Sequence, residues 1–209
     1  DNTFFVGKIT VPNLGIGQGK LNINPLIERE CYSFLQSLLG NEIYFELETH
    51  FDDDLNLKDD APQKFKDLLF GKIYDDKQWK GLIQISKLNK TSVLADWVYL
   101  QWLEESISVA TNNGQVVIEA KNAIKIDNTP KQVEVWNGIV RKIGEVGYSK
   151  PNISYHGGIR FIDWYGKSNT NTVSLTDFLN DFRDLYPNPT LITPNGRKLT
   201  YINKFGLWL

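Results

Sequence analysis

Apolar residues recur at helical spacing in six stretches of the chain, with glycine, proline and acidic residues between them. Ile27, Cys31, Phe34, Leu35 and Leu38 predict a first helix beginning near Asn24 and Pro25. Asparagine is a good N-cap there, proline at the first helical position loses no useful donor, and Gly40 supplies a left-handed stop. Ile43, Tyr44, Leu47 and Phe51 predict a second helix over about 41–51. Asp60 and Gln63 form a capping-box-like start for a third, 61–70, stopped by Gly71. The fourth, about 91–108, is the most apolar. Val93, Leu94, Trp97, Val98, Leu100, Trp102, Leu103 and Ile107 leave it only a narrow polar stripe, which predicts a central position. Thr129, Pro130 and Gln132 open a fifth helix whose Val133, Trp136, Val140 and Ile143 form one seam, ended by Gly144 and Gly147. The sixth spans 174–186, capped by Ser174 and Asp177, with Leu175, Phe178, Phe182 and Leu185 on one face and Pro187 and Pro189 beyond it.

The remaining segments lack this period. Residues 1–23 read as an extended arm that opens on Phe4 and Phe5 and is punctuated by Gly15, Gly17 and Gly19. Residues 52–60 read as a solvated acidic loop, 72–79 as a turn and 81–86 as a weak strand. Asn112-Asn113-Gly114 marks a turn before a short strand over 115–120. Residues 148–173 read as irregular chain with one hairpin around Ile159 to Trp164, and 191–209 as an extended aromatic tail. The predicted fold is mainly α: a helical bundle core of about six helices with extended N- and C-terminal arms and a few short strands. Its segments are an N-terminal arm (1–23), a helical core (24–147), an irregular segment plus one helix (148–190) and a C-terminal arm (191–209).

Composition narrows the function classes. With 209 residues, 41% of them hydrophobic, a core needs no staples. A formal net charge of −2 argues against a general nucleic-acid binder, which needs a basic surface. No apolar run is long enough to span a membrane. Cys31 is the one cysteine, so no internal disulfide forms, and a reducing compartment fits. The chain contains no methionine, which predicts that it begins after processing or trimming.

Candidate chemistry is sparse. His50 and His156 lie far apart in sequence and outside any zinc-binding spacing. Gly15-x-Gly17-x-Gly19-Lys20 invites a phosphate-loop reading, but Leu14 stands where the first glycine belongs and Leu21 where Ser or Thr belongs. Asp52, Asp54 and Asn56 begin like a calcium loop, yet Leu57 and Gln63 occupy the glycine and glutamate positions. His156-Gly157-Gly158 resembles an esterase oxyanion fragment without any nucleophile elbow to serve. Cys31 falls on an apolar helix face beside Glu28 and Glu30, the setting of an inert thiol. Asn89-Lys90-Thr91 and Asn152-Ile153-Ser154 fit the glycosylation pattern, which means little without secretion. Asp163-Trp164-Tyr165 is the most suggestive of carboxylate-and-aromatic sugar chemistry. The alternative function is therefore a carbohydrate-binding or glycoside-cleaving protein. The main expectation is a protein that is not an enzyme, with no catalytic residue, cofactor or metal.

The stronger signal lies in the arms. Phe4, Phe5, Tyr201, Phe205 and Trp208 are too many aromatics for such short segments to bury, and they form the expected interface. The other possibility is that both arms fold back onto their own domain.

Four blocks then carry a resemblance. They are Leu26 to Gly40 followed by Glu42-Ile43-Tyr44; Phe65 to Tyr74 with Trp79 to Leu82; Ser92 to Glu104 followed by Thr111 to Gly114; and Val135-Trp136-Asn137. With the ending Tyr201 to Gly206, the chain resembles the head-to-tail connector (adaptor or ring) proteins of tailed bacteriophages, the Bacteroides-phage and crAss-like group in particular. The resemblance implies a helical core with an extended arm and no catalytic residues. It implies assembly as a ring, usually of twelve copies, under the portal protein, with further tail ring proteins as partners. It places the chain in the virion at the head–tail interface, assembled in the host cytoplasm. It further implies that packaged DNA passes through the channel without specific binding and that no membrane is involved. The acidic stretch Asp52 to Asp60 fits a channel wall past which DNA slides, or else an ordinary solvated loop. The long segment 141–200 departs from the compact connector pattern.

Overall fold

A computed structural model describes residues 2–11, 17–52, 56–85, 90–106, 108–111, 114–117, 129–144, 172–200 and 202. The fold is mainly α, with six α-helices and short strands in small sheets among the described residues.

Two short 3-10 turns, Asn2–Phe4 and Gly7–Ile9, precede helix α1 (Gly17–Leu39). The helix starts ahead of the Asn24 and Pro25 cap read from the sequence, so Pro25 lies inside it. Proline there removes one backbone hydrogen bond, while Ile23 (0% exposed) and Leu26 gain burial on either side. Tertiary packing thus overrides the local start signal. Helix α2 (Asn41–Glu48) follows directly through Gly40, whose φ of +79° bears out the expected glycine stop. It buries Ile43, Tyr44 and Leu47 and ends before Phe51. Helix α3 (Gln63–Phe70) lacks the expected capping box: Pro62 is its N-cap, and Gln63 donates instead to Asp67 one turn on.

The segment read as a turn is a hairpin. Strands β1 (Lys72–Tyr74) and β2 (Lys77–Trp79) are antiparallel, joined by Asp75 and Asp76 with φ of 43° and 61°. Positive φ at both central residues matches the twist of a two-residue hairpin. Strands β3 (Ile83–Ile85) and β4 (Lys90–Ser92) form a second antiparallel pair leading into α4 (Val93–Ser106). Strands β5 (Ser108–Thr111) and β6 (Gly114–Val117) form a third.

Helix α4 is central, as its apolar surface predicts. Val93, Leu94, Ala95, Trp97, Val98, Tyr99, Leu100 and Leu103 are all buried. Helix α1 packs on one side, with Phe34 stacked on Trp97 at 4.6 Å. Helix α5 (Thr129–Ile143) packs on another, burying Val133, Trp136, Val140 and Ile143. Strand β7 (Thr172–Val173) adds in parallel to β2. Helix α6 (Leu175–Asp181) is capped by Ser174, whose hydroxyl accepts from the Asp177 amide. It is shorter than its predicted span, and its face differs. Leu179 and Tyr186 are buried, whereas Leu185 is exposed. Trp79, Phe178, Tyr74 and Phe182 close an aromatic cluster between the hairpin and α6.

Candidate interface at the two chain ends

The N-terminal arm is not presented outward. Phe5 is 4% exposed and belongs to the core with Ile9 and Val11, and Phe4 packs against that core. The expectation that Phe4 and Phe5 stand free for a partner is corrected, because the segment has an apolar seat within its own chain, its first turn against β4 and α1 and its second against α4. Polar contacts hold the same segment down. Lys90 donates to the Thr3 hydroxyl at 2.7 Å and lies over the Phe4 ring. Lys8 donates to Glu134 on α5 at 2.7 Å.

The C-terminal segment is extended but docked as far as Ile202. Its backbone is tied to the end of α1, where the Leu191 and Ile192 amides donate to the Leu38 and Ser37 carbonyls at 2.9 and 3.2 Å. Thr193 to Arg197 make a closed turn, with Thr193 fully buried and its hydroxyl accepting from the Arg197 amide. Leu199 is also fully buried. Helix α5 then grips the chain. Trp136 Nε1 donates to the Thr200 carbonyl at 2.7 Å. The Asn137 side chain donates to the Ile202 carbonyl at 2.7 Å and accepts from the Ile202 amide at 2.9 Å, as a neighbouring strand would. Arg197 lies over the Trp136 ring, 4.5 Å from its centroid. Tyr201, Phe205 and Trp208 lie outside the described residues.

Both ends therefore reach one helix. Glu134 holds Lys8, and Asn137, three residues on, holds Ile202. Residues three apart on a helix are neighbours on its surface. Sequence reading missed this seat, because Glu134 and Asn137 on the polar flank of α5 look like ordinary solvated positions.

The electrostatics of the region follow from burial and pairing. Hydrogen bonding from Lys8 holds the Glu134 carboxyl below its ordinary range, with Lys131 adding to it and partial burial opposing. Burial pushes the Glu104 carboxyl up, against the pull of Arg197. The Cys31 thiol is pushed up to about 12 by burial, which leaves it protonated and inert as its helix face suggests.

The other sequence candidates do not converge. His50 packs against the Phe65 ring. The Asp52 carboxylate accepts from the Asn56 amide and closes its own loop, while Asp54 lies outside the described residues. Gly17, Gly19 and Lys20 lie in α1, and Gly15 lies outside the described residues. His156 and Asp163-Trp164-Tyr165 also lie outside them. No group of acids, histidines and cysteines is arranged to hold a metal ion among the described residues. No described helix is long and apolar enough to cross a membrane. Comparison of the chain with protein-family models, curated proteins and solved structures finds no match.

Proposed function

We propose that this chain is a structural virion protein, the subunit of a head–tail connector ring that docks on the portal and links it to the tail. One observation carries the reading furthest: Asn137 on α5 grips Ile202, and Glu134, one turn away on the same helix, pairs with Lys8 of the N-terminal segment. The sequence that continues from Ile202 carries Phe205, Trp208 and two leucines within seven residues. An aromatic stretch that follows in sequence an anchored residue of a helical core suits docking on a neighbouring protein, since large aromatic side chains dominate such contacts. The mainly helical core is also what the connector resemblance implies. The partners in this reading are the portal, neighbouring copies and further tail rings, and the near-neutral net charge avoids strong repulsion between copies.

A chain shortened to end at Ile202 tests the reading. It retains every described contact to α5, so circular dichroism and thermal unfolding should match the full chain. It should fail to enter particles when it replaces the full chain during infection. Normal incorporation of the shortened chain would contradict the docking role.

A further inference from the structure

Asparagine is followed directly by glycine at 113–114, 137–138 and 195–196. In such a pair the glycine nitrogen can attack the asparagine side chain, because glycine has no Cβ to obstruct the approach. Asn113 lies outside the described residues. The other two pairs stand in opposite settings. Asn137 and Gly138 lie inside α5. There the helix ladder occupies the Gly138 amide. The Asn137 side chain is committed to Ile202, donating to its carbonyl and accepting from its amide.

Asn195 and Gly196 form the tip of the turn closed between Ile192 and Lys198, and both are exposed. A Cβ on Gly196 would meet nothing within 4 Å, so no neighbouring group shields this side of the turn. The Asn195 side chain is held in place by its carbonyl oxygen. The Thr193 hydroxyl donates to Oδ1, and the Arg197 amide reaches the same atom at 3.3 Å. The second contact is an Asx turn. It curls the side chain back along the chain and encloses Cγ and the Gly196 nitrogen in one small ring. Both donors also favour negative charge as it develops on Oδ1. One bond opposes the attack: the Gly196 amide donates to the Thr193 carbonyl at 2.8 Å, at an exposed turn, and must open first.

We propose that Asn195 is a site of spontaneous deamidation in the folded chain and that Asn137 is protected from it. The Gly196 nitrogen loses its proton to solvent base, and its electron pair forms a bond to Asn195 Cγ. The Cγ–Nδ2 bond breaks, and Nδ2 takes a proton from solvent and leaves as ammonia. Water then opens the cyclic imide at either carbonyl, which gives aspartate or isoaspartate at position 195. Aspartate keeps the turn, because a carboxylate accepts from the same donors. Isoaspartate routes the main chain through Cγ and adds a carbon inside a turn that runs from Thr193 to Leu199, both fully buried. It therefore loosens the docked C-terminal segment as the protein ages. The chemistry is the same whether or not the chain enters a particle.

The test incubates the full-length chain in mildly alkaline buffer, folded and in urea, and follows both peptides by mass spectrometry. In the folded chain the Asn195 peptide should gain the mass of amide hydrolysis many times faster than the Asn137 peptide. Its aspartyl and isoaspartyl forms should both appear, at a rate that rises with pH. In urea both peptides should react. An Asn195 peptide that stays intact in the folded chain would overturn the proposal, as would equal reaction of the two peptides there. Asn195→Asp supplies the aspartyl product alone. That variant should melt with the fresh parent chain, and the aged isoaspartyl fraction should melt below both. Equal melting of the variant and the isoaspartyl fraction would overturn the loosening.

Discussion

Gly71 and Gly81 stand where two backbones cross. A Cβ on Gly81 would lie 2.5 Å from the Leu69 carbonyl oxygen, and one on Gly71 would lie 2.6 Å from the Trp79 carbonyl oxygen. Both residues have positive φ, +100° at Gly71 and +85° at Gly81. This approach lets the β1–β2 hairpin fold back on the end of α3, which brings Trp79 within reach of the Leu68 carbonyl at 3.1 Å. Gly81→Ala should therefore cost more than about 1 kcal/mol, since it combines an unfavourable backbone conformation with a clash against main-chain atoms. Urea unfolding measures this directly. A midpoint equal to that of the unsubstituted protein would show that the crossing relaxes. The sequence signals Gly71 as a helix stop, but nothing local announces that a second glycine ten residues on must pack against it.

Helices α4 and α5 are joined by more than apolar packing. Lys142 on α5 donates to Asp96 on α4, and both side chains are largely withdrawn from water, at 10% and 15% exposure. Lys142→Met leaves Asp96 without this partner and should cost about 3 kcal/mol. Adding Asp96→Leu should recover most of that loss, because two apolar side chains leave no stranded charge. A double-mutant cycle from chemical unfolding reads both values. Equal stability of the single variant and the parent would show that the pair contributes little. The anchor between the N-terminal segment and α5 behaves differently. Glu134 is held below its unfolded pKa, so its contribution is present above that value and is lost as pH falls through the folded one. Glu134→Gln should melt below the parent protein at neutral pH. The gap should shrink below pH 4.5, the ordinary value of the carboxyl, and close in stronger acid. A gap independent of pH would rule out the ion pair as its source.

Across the whole molecule, long periodic elements were legible and the seating of the ends was not. The apolar surface of α4 announced its central place, and the seam of α5 is buried as its spacing predicts. Glycine stops at Gly40, Gly71 and Gly144 all take positive φ. Boundaries failed where burial outweighed local signals: α1 runs through Pro25 because Ile23 and Leu26 are both buried. The exposure expected of Phe5 failed for a related reason. Whether Phe5 or Leu199 finds a seat depends on a surface assembled from distant helices, which no short window of sequence contains. The central claim, a connector subunit, is open to direct measurement. Quantitative peptide mass spectrometry on density-purified phage particles from the source gives the copy number of this chain relative to the portal. The connector account predicts peptides of this chain at about the portal's copy number. Its absence from particles, or its presence only in infected-cell lysate, would contradict the account.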